Sequence, residues 1–236
     1  MLKIVNYSKQ YENGKLAVNN LSLTVEKGDI YAFIGHNGAG KTTTIKSVVG
    51  ILPYNDGDIY VNGYNIKDNS MECKKIIAYI PDNPDIYENM TGNQYLNFIS
   101  DVYKLSKKER TEKINYYANL FEFSNELTNM IYSYSHGMKQ KLCLISAFIR
   151  NPKLLILDEP FVGLDPNVAF IFKNAMKEFC EKGGSIFFST HVLEIAEKLC
   201  NKVAIIKDGK LVAQGLMEDI TKNKDLEEVF LELNNA

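Results

Sequence analysis

The stretch "GHNGAGKT", Gly35 to Thr42, constrains this chain more than any other. It satisfies G-x-x-x-x-G-K-S/T in full. A strand-like run, "IYAFI", precedes it, and a helix-like run, "AGKTTTIKSVVGIL", follows and is expected to stop at Pro53. Gly35, Gly38 and Gly40 let the backbone curl so that successive N–H groups face one anion. The helix N-terminus adds its positive end. His36, Asn37 and Ala39 complete the loop. Lys41 can reach β- and γ-phosphates, the Thr42 hydroxyl can ligate Mg²⁺, and Thr43 is placed to touch an α-phosphate.

A second stretch complements the loop. In "LLILDEP", four apolar residues form a strand and Asp158 stands at its end, where Mg²⁺ would lie. Glu159 follows directly, where a carboxylate can orient and partly deprotonate an attacking water. Read alone, "DEP" is only a turn closing a strand.

The rest of the chain fits an α/β core around these segments. With 236 residues it can form one large domain or two intimate subdomains. A net charge of −2 gives no overall electrostatic case for binding nucleic acid. The N-terminal "MLKIVNYSKQYENG" lacks the apolar stretch of a signal peptide, and no segment approaches the roughly 20 apolar residues that span a bilayer. Cys73, Cys143, Cys180 and Cys200 are scattered without a C-x-x-C pair, which suits reduced core residues.

Residues 1–80 are expected to form a β subdomain plus the phosphate loop, 81–150 a mainly helical subdomain, and 151–236 the second half of the α/β core with a C-terminal segment. Lys27-Gly28 signals a hairpin, as do Asn62-Gly63 and Asp208-Gly209. Thr91 with Gln94, and Ser106 with Glu109, have the capping-box spacing that opens a helix. "KLSKKERTEK" mixes charges of both signs and reads as a solvated helix face. "KLLILD" and "GSIFFST" read as strands buried on both faces of a parallel sheet.

Further motifs follow in order: Tyr11 near the start, "YSHGMKQK" at 134–141, "GLDP" at 163–166 and "STHVLE" around His191. Together with the phosphate loop and "LLILDEP", they resemble the nucleotide-binding subunits of ABC transporters over essentially the whole chain. The resemblance implies a P-loop NTPase (RecA-like) α/β core with a parallel sheet, an N-terminal antiparallel β subdomain and an inserted α-helical subdomain. It makes "YSHGMKQK" the counterpart of the L-S-G-G-Q signature. Ser135 and Gly137 match; Tyr134, His136 and Met138 replace the usual residues. It also makes Asp165 the acidic residue of the D-loop, His191 the residue that reads the γ-phosphate, and Tyr11 the platform for adenine. Each of these has a plainer reading in isolation, Tyr11 as a half-buried aromatic and His191 as a strand-end histidine.

The resemblance implies ATP and Mg²⁺ as ligands, with Glu159, His191 and Lys41 doing the chemistry. It implies a homodimer or heterodimer in which one subunit's signature faces the other's ATP. A separate integral-membrane permease subunit would hold the chain at the inner, cytoplasmic face of the membrane. "EPFVGLDP" and "YSHGMKQKL" look closest to exporter-type subunits for drugs, peptides or lipids. A soluble ABC-type ATPase acting in assembly or regulation is the alternative; a P-loop kinase or GTPase fits less well, with no N-K-x-D guanine reader.

In "YIPDNPDIYENMT" the family usually carries glutamine where this chain has Asp82. Aspartate brings a full charge to a hard cation, but it is shorter and donates no hydrogen bond while ionised. Asp82 therefore reads either as a metal-linked coupling residue or as ordinary turn chemistry.

Overall fold

The computed structural model describes residues 1–222 and 224–233 in full and the backbone of 234 and 235. β1 (Leu2–Gln10) and β2 (Leu16–Val25) pair antiparallel. β3 (Ile30–Ile34) leaves them for a second sheet, and α1 (Lys41–Val48) follows it. β4 (Asp56–Val61) and the short β5 (Tyr64–Asn65) return to the first sheet, whose order is β2-β1-β4-β5. After α2 (Ser70–Ile76) comes β6 (Ile77–Ile80). Three helices then intervene, α3 (Gly92–Val102), α4 (Lys107–Leu120) and α5 (His136–Ile149). Beyond them lie β7 (Leu154–Asp158), α6 (Pro166–Glu181), β8 (Ser185–Thr190), α7 (Leu193–Leu199), β9 (Lys202–Lys207) and β10 (Lys210–Leu216). α8 (Met217–Ile220) and α9 (Leu226–Asn235) end the described chain. The second sheet has the order β10-β9-β3-β8-β7-β6, parallel apart from the antiparallel edge strand β10.

The continuous apolar runs have their cause in this layering. Along β7, Leu155 and Leu157 face a core that includes Leu144 and Phe148 of α5 and Phe172 of α6. Leu154 and Ile156 face the other way, into a core shared with the antiparallel sheet and Ile45 and Val48 of α1. Alternate residues of β3 and β8 divide in the same manner. With both faces covered, a strand has no polar side to show.

Both helix starts expected from capping boxes are present. Thr91 and Ser106 each accept from the backbone of the third helical residue, and Gln94 and Glu109 return the bond. The stretch 104–113 lies largely exposed along the start of α4. The hairpins at Asn62-Gly63 and Asp208-Gly209 form, with φ of 50° and 86° in one and 48° and 76° in the other. All four cysteines are free and buried.

Two expectations fail. Lys27-Gly28 does not turn a hairpin, because β2 and β3 belong to different sheets. Both edges of β3 are taken by β8 and β9, leaving β2 no partner there. The turn is instead fastened across the molecule, with the Gly28 amide donating to the Gly184 carbonyl at 2.9 Å. Second, α1 stops at Val48, ahead of Pro53. Gly50 takes φ 72° and donates back to the Ser47 carbonyl, a left-handed helix end that acts before the proline is reached.

Candidate functional site

The phosphate loop joins the C-terminal end of β3 to α1, and its glycines are sterically required. A Cβ on Gly35 would lie 2.5 Å from the Ile206 carbonyl oxygen, and one on Gly40 2.7 Å from that of Ala17. Gly40 also has φ 110°, which L side chains avoid. Lys41 is buried, its ammonium donating to the Gly35 carbonyl at 2.6 Å and the His36 carbonyl at 3.3 Å. The Thr44 hydroxyl donates back to the Gly40 carbonyl at 2.9 Å, fixing the first turn of α1.

A cleft of about 320 Å³ opens over this loop. His36, Asn37, Gly38, Gly40, Lys41, Thr42 and Thr43 line it, together with Tyr11, Asp82 and Glu159. Gly35 and Ala39 shape the loop from behind, the Ala39 side chain being packed in the core. Lys15 and Ala17 also line the cleft and were not anticipated. They flank the same β1–β2 turn that carries Tyr11, closed by the Tyr11 amide donating to the Lys15 carbonyl at 2.9 Å. The Asn13-Gly14 pair in "YENGK" was the available signal for that turn. Tyr11 is partly exposed, and its hydroxyl lies 3.1 Å from the Thr43 hydroxyl.

Asp158, Glu159 and His191 converge through β7 and β8. Asp158 is 1% exposed. Burial pushes its carboxyl above the usual carboxylate range, opposed by hydrogen bonds from Ser189 and Thr42. Ser189 sits opposite Asp158 in the strand register. Its hydroxyl donates to Asp158 and accepts from the Glu159 amide at 3.1 Å. Glu159 holds φ 49°, a left-handed conformation that costs a residue with a side chain roughly 1–3 kcal/mol. Its amide is held by both the Ser189 carbonyl and hydroxyl, which keeps it there. One Glu159 oxygen lies 3.6 Å from the Lys41 ammonium. The other lies 3.0 Å from His191 Nδ1 and accepts from the His191 amide at 3.3 Å.

Thr42, Asp158 and Asp82 offer oxygen donors, the chemistry that suits Mg²⁺. Asp82 follows β6 into the cleft and lies close enough to Asp158 to oppose its ionisation. Among the described residues, no three His, Cys, Asp or Glu side chains form a closed metal cage.

Ser135, Gly137 and Asp165 stand apart from this cleft. Ser135 caps α5, accepting from the Met138 amide at 3.3 Å, and Asp165 caps α6, accepting from the Val168 amide at 3.0 Å. The two helix starts touch each other. A Cβ on Gly137 would lie 2.7 Å from the Gly163 carbonyl oxygen, and Lys141 reaches Asp165 at 3.5 Å.

Comparison with known proteins agrees with this architecture. Residues 18–162 match the sequence model of the ABC transporter family. The chain is 33% identical to the ABC-type transporter ATP-binding protein EcsA of Bacillus subtilis, over 92% of this chain and 90% of that one. It is 37% identical to the SkfA peptide export ATP-binding protein SkfE of the same organism, over 90% of this chain and 87% of that one. With the linearmycin resistance ATP-binding protein LnrL of B. subtilis it shares 32% identity, over 93% of this chain and 70% of that one. A solved ATP-binding subunit of an ABC transporter superposes with a TM-score of 0.95 at 33% identity, covering 99% of both chains. The protein is a member of the ABC transporter family, an ATP-binding subunit built on the P-loop NTPase α/β fold.

Proposed function

We propose that this subunit hydrolyses ATP and drives transport, in the export direction, through a separate membrane subunit. One observation carries the reading: Glu159, which lines the phosphate-loop cleft with Lys41, bridges Lys41 at 3.6 Å and the neighbouring His191 at 3.0 Å. The loop amides and Lys41 hold the phosphates of ATP. Tyr11 offers its ring to adenine. Glu159 orients the attacking water and takes its proton, and His191 fixes Glu159 and meets the γ-phosphate. Thr42, Asp158 and Asp82 would hold Mg²⁺, which when bound neutralises charge on the phosphate oxygens. Ser135, the Gly137 amide and Asp165 serve the ATP of a second nucleotide-binding subunit, since they lie outside this chain's own cleft.

The route from nucleotide to membrane subunit runs through the loop after Asp82. Glu88 in that loop pairs with Lys139 of α5, and the Met90 carbonyl accepts from the Ile131 amide at 2.9 Å. The same loop presents Tyr87 against Phe98 of α3, ring centroids 5.6 Å apart and both exposed. This aromatic pair is the proposed contact for the membrane subunit, because an exposed apolar patch favours burial by a partner. No helix among the described residues is long and apolar enough to cross a membrane, and the proposal assigns the transport path to a separate membrane subunit. Export is supported by the relative named for peptide export. Affinity capture of the full chain from detergent-solubilised membranes tests the reading. An integral-membrane partner that raises the ATPase rate is expected; exclusively soluble partners would contradict it.

A further inference from the structure

A larger cleft, of about 600 Å³, opens at the opposite end of the six-stranded sheet. It lies where β7 and β8 begin, beside Lys153 and Gly184, whereas the phosphate loop follows the end of the parallel strand β3. The two clefts are thus a strand length apart, about 17 Å for five residues.

The floor is aromatic. Tyr117 of α4 stacks on Phe148 of α5, with centroids 5.3 Å apart and 21° between planes, and Phe179 of α6 meets Phe148 edge-on at 6.1 Å. The rim is basic. Lys27, Lys153 and Lys182 line it against a single acid, Glu178, in a chain whose net charge is −2. Lys182 is paired with Glu178, while Lys27 and Lys153 make no ion pair among the described residues. Two glycines build the hollow. A Cβ on Gly184 would lie 2.3 Å from the Phe179 ring, and one on Gly183 2.8 Å from Lys27 Cε. Their bare backbone lets an aromatic ring and a lysine stem close around the same point.

We infer that this cleft binds a small anion with a flat aromatic body, its ring against Tyr117 and Phe179 and its charged group between Lys27 and Lys153. The size lies within the range of small-molecule sites. A neutral apolar ligand would strip water from the lysines without compensation, and a bare inorganic anion would leave the aromatic floor unused. Only the amphiphilic anion satisfies both halves. Bound there, it would bridge α4, α6 and the β2–β3 turn, far from the ATP phosphates.

The probe is 1-anilinonaphthalene-8-sulfonate, titrated by fluorescence into the full chain with the phosphate-loop cleft saturated by Mg²⁺ and a non-hydrolysable ATP analogue. One saturable site is expected. Lys27→Glu combined with Lys153→Glu should weaken it about tenfold or more, leaving analogue affinity unchanged. Both lysines are exposed, so the reversal spares the core. Neutral N-phenyl-1-naphthylamine should bind about tenfold more weakly than the sulfonate. Absence of saturable binding, equal sulfonate affinity in the double variant, or equally tight binding of the neutral probe would each overturn the inference.

Discussion

The Ser189 hydroxyl donates to Asp158 and accepts from the Glu159 amide, so one side chain ties the Asp158 carboxylate to the Glu159 backbone. Ser189→Ala is expected to lower kcat for ATP hydrolysis about 10- to 100-fold, the usual effect of removing a group that orients a metal ligand. KM for ATP should move little, because the loop amides and Lys41 are untouched. Asp82→Gln, assayed in parallel, should raise the Mg²⁺ concentration needed for half-maximal rate. Steady-state kinetics over a Mg²⁺ series check both, and unchanged rates would reduce Ser189 to packing and Asp82 to turn chemistry. Asp158 and Glu159 were legible because a strand ending in two acids beside a phosphate loop has few other readings. Ser189 was not. Within "GSIFFST" it is one small residue in a buried run, and its role appears only when parallel pairing sets it opposite Asp158.

At the scale of elements, local chemistry predicts local structure well and fails where tertiary pairing decides. The capping boxes at Thr91 and Ser106 close within a few residues, so sequence alone reveals them. Thr91→Ala should cost about 1 kcal/mol of stability, read as a lower urea midpoint with an unchanged slope. The Asn62-Gly63 and Asp208-Gly209 turns are equally local, both residues of each taking positive φ. Lys27-Gly28 has similar chemistry, yet it connects two sheets. What separates the cases is the long-range occupation of both β3 edges, 150 residues or more further along the chain. The early stop of α1 is intermediate: Gly50 was visible, but Pro53 is the stronger breaker by composition.

In the whole molecule, the phosphate loop and the Ser135 helix start face different surroundings, and this asymmetry underlies the proposed assembly. In the proposed assembly a single chain would offer Lys41, Glu159 and His191 to one ATP, while Ser135 and Gly137 lie outside that cleft. Two chains arranged head to tail would complete two sites, with ATP between them, and hydrolysis would loosen the pair. The fold class and its inserted helices were readable from motif order and from runs of buried strand. The mutual packing of Gly137 and Gly163, and the aromatic floor around Phe148, depend on contacts that no local pattern encodes. The most direct test of the central claim is phosphate release by Glu159→Gln beside the unaltered chain, with ATP affinity measured on both. Retained ATP binding, hydrolysis slowed by about 10²-fold or more, and an ATP-bound dimer that persists are expected. Near-normal turnover by Glu159→Gln would contradict it.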